Sequence, residues 1–241
     1  MAGLRCVGCV SEIASGARFC PNCGAPIVAA LAPSCIVYLF GDQFAGLDKP
    51  LTPGEKLPCG DAKVQKRELA QEMLRAAFAH LEKEGSISLT IGQKKTLIFK
   101  SDAVFVTLKR CEATAGGIEA GIIEAVTGDA KKDSVDEVVG RLIGEERIDP
   151  WGAVIEQAKE HLLSLGYFAE EGRSGLGKLI PGRTLTPRCD RIATLRGHVP
   201  AVQALLRDLN SRDSALNRRL GEDIKNGITS RYQTRDIEAD E

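Results

Sequence analysis

Histidine is scarce, with three in 241 residues, and the chain carries none of the short motifs in which histidine or serine does chemistry. There is no His-Glu-x-x-His pair for a catalytic metal, no Gly-x-Ser-x-Gly turn for a serine nucleophile and no glycine-rich dinucleotide fingerprint. Carboxylates are numerous but fall into no paired motif. These absences remove the motif-bearing enzyme classes and leave a non-enzymatic protein as the expectation. A long hydrophobic run is also missing. The longest, residues 25–40, has 16 residues and is broken by Pro26, Pro33 and Ser34, whereas a spanning helix needs about 20 predominantly apolar residues. It reads as a linker ending in one buried strand, Cys35 to Phe40. With no spanning or secretory segment, a cytoplasmic protein is expected.

An excess of charge of one sign is the third absence: the formal net charge is −1. A chain built mainly to hold nucleic acid is usually basic overall. Here the charge is bipolar. Residues 111–172 hold 5 basic against 14 acidic side chains, while 173–241 hold 13 against 9. A local basic face remains open on the second block, before an acidic tip at 236–241.

What is present begins with cysteine. Cys6-Val-Gly-Cys9 is followed by a ten-residue spacer and Cys20-Pro-Asn-Cys23-Gly24. Two Cys-x2-Cys pairs let four thiolates converge on one tetrahedral ion, and Zn²⁺ suits an all-sulfur set. A closed shell of this kind makes the metal structural. Two disulfides or a small redox centre share the spacing, but nothing in the sequence suggests export. A segment of about 27 residues cannot bury a core of its own, and zinc binding of roughly 10–16 kcal/mol would supply its folding energy. The phrase from Gly16 to Gly24 resembles the short zinc ribbons at the start of many prokaryotic proteins, which implies a recruitment module for a protein partner. Cys35, Cys59, Cys111 and Cys189 show no motif spacing and read as buried or incidental thiols in a reduced setting.

The body carries an internal repeat. His80-Leu81-x3-Gly85 recurs 81 residues later as His161-Leu162-x3-Gly166. In the first copy Leu69, Met73, Ala77 and Leu81 make an amphipathic helix, Gly85 caps it, and strands at 86–91 and 96–99 flank a turn at Gly92–Lys95. In the second, Trp151, Ile155, Leu162 and Leu163 make the helix. Gly166 closes it, and strands at 167–168 and 179–185 flank a loop at 172–177. Helix, glycine, strand, loop and strand suggest tandem winged-helix-like units. Further helices are expected at 117–126 and 134–143, the latter capped by Asp133 or Ser134. Another apolar stripe runs from Val202 to Ile228, with a break at Asn210-Ser211. The expected fold class is mainly α with small β-hairpins (α+β). Residues 1–27 are expected as the ribbon, 28–60 as a linker with one strand, 61–231 as the body, and 232–241 as an acidic tail.

Two further signals concern phosphate. Gly172-Arg-Ser-Gly-Leu-Gly177-Lys178 has the spacing of a phosphate loop, but Leu179 stands where Ser or Thr would hold Mg²⁺, and Pro181 blocks the following helix; it reads as a wing loop. Arg183, Arg188, Arg191 and Arg196 can grip phosphate oxygens in bidentate fashion. Of these, Arg183, Arg188 and Arg191 are the candidate anion-binding residues. His80 and His161 flank core leucines and read as structural.

The stretches Leu74–Ile87, Asp133–Leu142 and His161–Phe168 resemble the Golgi phosphoprotein 3 family. That resemblance implies a mostly helical, non-enzymatic body able to dock on phosphoinositide or other anionic lipid headgroups. Gly152 and Ile155 fall where the family's headgroup-binding arginines would lie, and a zinc ribbon is not a usual part of that family, so the resemblance speaks to the fold more than to the ligand. The resulting expectation is an adaptor with a zinc ribbon for recruitment and a body that docks on an anionic surface, peripherally at the inner membrane face. A winged-helix DNA-binding regulator and a pure protein–protein adaptor are the rivals.

Overall fold

The structure is a computed structural model that describes residues 4–5, 11–13, 22, 31–48, 54–96, 99–110, 116–129, 132–170 and 184–233. Chain contacts divide it into two units, Met1–Leu31 and Ala32–Glu241. In the first, β1 (Leu4–Arg5) pairs antiparallel with β2 (Glu12–Ile13). The second unit is α+β, as expected, with helices and small antiparallel hairpins. In chain order it holds α1 (Pro33–Leu39), β3 (Gly54–Lys56), β4 (Lys63–Gln65), α2 (Lys66–Lys83), β5 (Ile87–Thr96) and β6 (Phe99–Leu108). Then come α3 (Ile118–Ala125), α4 (Val135–Ile143), α5 (Pro150–Ser164), β7 (Phe168–Glu170) and β8 (Leu185–Pro187). It closes with α6 (Cys189–Ala193), a 3₁₀ turn (Thr194–His198), α7 (Val199–Arg212) and α8 (Ser214–Thr229). No helix among the described residues is long and apolar enough to cross a membrane.

α1 corrects the expected strand at 35–40 and brings a stretch read as linker into the core. All seven of its residues are buried. A short apolar run satisfies a buried strand and a buried helix equally. Pro33 in the first turn is preorganised for a helix, where its missing N–H has no partner to lose. α1 lies against α2, α5 and α7. α2 is the central helix, buried at Leu69, Met73, Leu74, Phe78 and Leu81, and also at Ala70, Ala76, Ala77 and Ala79. Those alanines let α1, α3, α5, α7 and α8 approach it from several sides, so its buried surface is wider than the stripe read from the larger residues.

The internal repeat is built at both helix ends by the same hydrogen bonds. Ser86 N–H donates to Leu81 O at 2.9 Å and Gly85 N–H to Glu82 O at 3.0 Å; Tyr167 N–H donates to Leu162 O and Gly166 N–H to Leu163 O, both at 2.9 Å. Gly85 and Gly166 have φ of 71° and 75°, the left-handed conformation this cap requires. Each copy continues into an antiparallel hairpin, β5–β6 and β7–β8. The expected turn at Gly92–Lys95 is instead continuous strand, with pairing from Ile87 opposite Leu108 to Thr96 opposite Phe99. Gly92 is there for a neighbour rather than a bend: a Cβ would lie 2.9 Å from the Phe105 ring. The wing loop and most of the return strand expected at 179–185 lie outside the described residues, as do 234–241 of the tail. The break in the C-terminal stripe falls at Asp213, whose carboxylate caps α8 by accepting from Leu216 N–H at 2.8 Å.

Two buried carboxylates organise the helices. Ser134, not Asp133, takes the N-cap position of α4. Asp133, 1% exposed, turns away to accept from Thr127 N–H (3.0 Å), Thr127 Oγ1 (2.9 Å), Gly128 N–H (2.8 Å) and Arg141 (2.6 Å). Glu119 on α3 is fully buried and receives the Ser34 backbone N–H at 3.0 Å and the Ser34 hydroxyl at 2.6 Å, which ties α3 to the first turn of α1.

Burial pushes the Glu119 carboxyl up from 4.5 to about 7, with the Ser34 hydrogen bonds opposing the shift. Because the folded value is the higher one, the contribution of Glu119 to stability is complete below pH 4.5 and is lost as pH rises through about 7. At about 1.4 kcal/mol per unit, the loss is about 3 kcal/mol. Glu119→Gln keeps the shape and removes the charge, so urea titrations at pH 5 and pH 8 should show a much smaller difference than in the wild type. An equal pH dependence in both proteins would mean that Glu119 does not carry it.

Candidate functional site

A cleft of about 530 Å³ in the body is bounded by two hairpins and one helix. Glu55 on β3 and the turn Leu57–Gly60 form one wall, Leu185 and Pro187 on β8 with Phe168 on β7 form the opposite wall, and α5 lays Glu156 and Lys159 between them. Helical periodicity places Glu156 and Lys159 on one face of α5, three residues apart. The hairpin β3–β4 brings Glu55 to the same point: the Lys159 ammonium lies 2.9 Å from Glu55 and 2.7 Å from Glu156. It also sits 5.9 Å from the centre of the Tyr38 ring, which reaches the cleft from α1.

Burial alone would favour the neutral amine, but Glu156 and Glu55 outweigh it and raise the Lys159 pKa. The Tyr38 phenol is pushed well up, first by burial and then by the same two carboxylates. At neutral pH the cleft therefore holds a fixed ammonium and a neutral phenol. Both groups are hydrogen-bond donors in the cleft. Glu156 is exposed.

The cleft is closed on one side by covalent chemistry. Cys59, in the turn between β3 and β4, is bonded to Cys189 at the start of α6, with Cα atoms 5.3 Å apart. This corrects the reading of Cys59 and Cys189 as incidental thiols. Both are exposed. Cys35 is a buried free thiol whose pKa is raised by burial and then by Glu119. Cys111 lies outside the described residues.

Of the three candidate anion-binding arginines, Arg188 and Arg191 fall among the described residues. Arg188 is exposed, and its backbone N–H donates to Tyr167 O at 2.9 Å. Arg191 is half-buried and already engaged: its guanidinium donates to Gly166 O at 2.7 Å and lies 5.0 Å from the centre of the Tyr167 ring. Arg183 lies outside the described residues. Arg196, exposed on the 3₁₀ turn, lies over the Phe40 ring at 5.3 Å. Arg188, Arg191 and Arg196 stand at the start of α6, within it and on the 3₁₀ turn.

The three histidines stand apart from the cleft lining. His80 lies 3.8 Å from Glu84, with its pKa lowered by burial against the opposing pull of that carboxylate. His161 packs on Gly116 and Gly117, where a Cβ would come within 2.3 Å and 3.1 Å of the imidazole. Both fit the structural role expected of them. His198 is exposed.

The four candidate zinc ligands, Cys6, Cys9, Cys20 and Cys23, lie outside the described residues. In sequence the first pair falls in the connection between β1 and β2, and the chemistry of four thiolates fits a single tetrahedral Zn²⁺. Nothing in the sequence marked the Lys159 cluster or the disulfide. The Glu156–Lys159 spacing was legible on α5, but Glu55 and Cys59 arrive from a distant hairpin. Scans of the chain against protein-family models, curated proteins and solved structures found no match.

Proposed function

We propose that this chain is a non-enzymatic binding or adaptor protein. Its first 27 residues act as a structural zinc ribbon that recruits a protein partner, and its body docks on an anionic, phosphate-bearing surface at the inner face of a membrane. The observation that carries the docking reading is the arginine ridge from Arg188 to Arg196. Arg188 and Arg196 are exposed at its two ends, and Arg191 between them is fixed by Gly166 O and the Tyr167 ring. The exposed guanidiniums of Arg188 and Arg196, the latter resting over the Phe40 ring, can meet phosphate oxygens.

A DNA-binding regulator built on winged-helix-like units is less well supported. Its recognition helix would be α5, whose one lysine or arginine, Lys159, is held between Glu55 and Glu156. The exposed Glu156 and Glu160 would repel phosphate.

The reading is tested by sedimenting the zinc-loaded chain with phosphatidylglycerol-containing or pure phosphatidylcholine vesicles at near-physiological salt. Selective binding to the anionic vesicles is expected, and the double variant Arg188→Glu/Arg196→Glu should lose it. Arg191 is left intact because changing it would remove the contact to Gly166. Binding unchanged in the double variant would sink the ridge as the docking site. Binding to neither vesicle would remove the lipid reading, and duplex titration across salt concentrations would then separate a DNA ligand from a protein one.

A further inference from the structure

We propose that Cys59 and Cys189 form a reversible dithiol–disulfide site, reduced by an external dithiol, whose state sets how tightly the two walls of the cleft are held together. This inference is independent of docking on anionic surfaces.

The bond joins residues separated by 130 positions and links two separate hairpins, β3–β4 and β7–β8 with its following helix α6. Both cysteines are exposed and line the cleft, so a reductant can reach either sulfur without opening the core.

Each side of the bond has anchors of its own. On one side, β3 pairs with β4 over three residues, Leu57 and Pro58 are buried, and Glu55 is paired with Lys159. On the other, Arg188 N–H is bonded to Tyr167 O, Arg191 to Gly166 O, and Ile192 is 2% exposed. Each wall thus has contacts of its own besides the disulfide. Breaking the bond removes the tie between the walls at the Cys59 end and leaves the Glu55–Lys159 ion pair as the tie on the α5 side.

The backbone of Cys59 is the second observation. It has φ +59°, the left-handed conformation that glycine or asparagine would normally supply, and among the described residues it is the one non-glycine with positive φ. Gly60 is next to it in the same turn. A cysteine kept in that conformation places its sulfur toward Cys189 at a conformational cost.

The exchange balances as an ordinary two-electron transfer. One thiolate of the dithiol attacks a sulfur of the bond; a new S–S bond forms, the Cys59–Cys189 bond breaks, and the departing thiolate takes a proton. The second thiol of the reductant then displaces the protein sulfur. The reductant leaves as a disulfide, and Cys59 and Cys189 are both thiols.

The test uses the full chain, trapped with iodoacetamide under native conditions before and after dithiothreitol without denaturant, followed by peptide mapping. Cys59 and Cys189 should appear as one linked pair before reduction and as two alkylated residues after it, while buried Cys35 stays unmodified throughout. Amide exchange over 167–170 and 185–193 should lose protection on reduction, with helical circular dichroism retained. Cys59→Ser/Cys189→Ser should show the same loss of protection without reductant. Free, alkylated Cys59 and Cys189 in air-oxidised protein would overturn the proposal. So would a bond that yields only in denaturant, a body that unfolds on reduction, or exchange that reduction leaves unchanged.

Discussion

Removing zinc from the N-terminal segment is expected to unfold residues 1–27 and to leave the thermal transition of the body in place. The segment is too short to bury a core, so under the proposed reading its folding free energy is the metal-binding free energy, roughly 10–16 kcal/mol near neutral pH. The body begins at Ala32 with its own buried helices and is a separate contact unit, so its stability does not draw on that term. Zinc release with a colorimetric chelator should give one ion per chain. Amide exchange should then lose protection at β1 and β2 while α2 is unaffected. Because ligation requires thiolates, affinity should fall as pH is lowered. Finding the four cysteines as two disulfides by mass spectrometry would replace the zinc reading.

Asp133→Ala is expected to cost about 3–5 kcal/mol, the range for breaking a buried charge pair by deleting one partner. Four donors lose their acceptor at once: the Thr127 N–H and hydroxyl, the Gly128 N–H and the Arg141 guanidinium. Arg141 keeps its bonds to Ala125 O and Lys132 O, so its charge stays in place with its counter-ion gone. The 127–133 segment also meets β6, where Val106 N–H donates to Asp133 O at 2.8 Å, so the disturbance should reach the β5–β6 hairpin. Urea unfolding provides the measurement. A loss below about 1 kcal/mol would mean that water replaces the carboxylate without penalty.

The parts of this architecture that the sequence made legible are those set by contacts within a few residues. The caps at Gly85 and Gly166 close over three to five positions, so His-Leu-x3-Gly announced both. The helices at α3 and α4 showed through their periodic apolar positions in the same way. α1 was not legible because its periodicity is lost when every residue is buried. The β5–β6 turn was misplaced because Gly92, a turn residue by composition, makes room for Phe105 on the opposite strand. The engagement of Arg191 was not legible because its partner, the Gly166 carbonyl, lies 25 residues away in sequence. The cleft was the least legible feature, since Tyr38, the hairpin bearing Glu55 and Cys59, Lys159 and Cys189 lie in four separate segments and no local rule connects them.

The buried Glu119 has a thermochemical consequence. Between pH 4.5 and about 7 the folded chain holds a proton there that the unfolded chain gives up. On unfolding in that interval Glu119 therefore discharges a proton into the medium, opposed by uptake at His80 and His161, whose pKa values burial lowers. A calorimeter will register the heat of the buffer accepting it, so the apparent enthalpy of unfolding should differ between phosphate and imidazole at the same pH. A chain whose α1–α3 junction is closed by one protonated carboxyl thus reports its own core through the buffer that surrounds it.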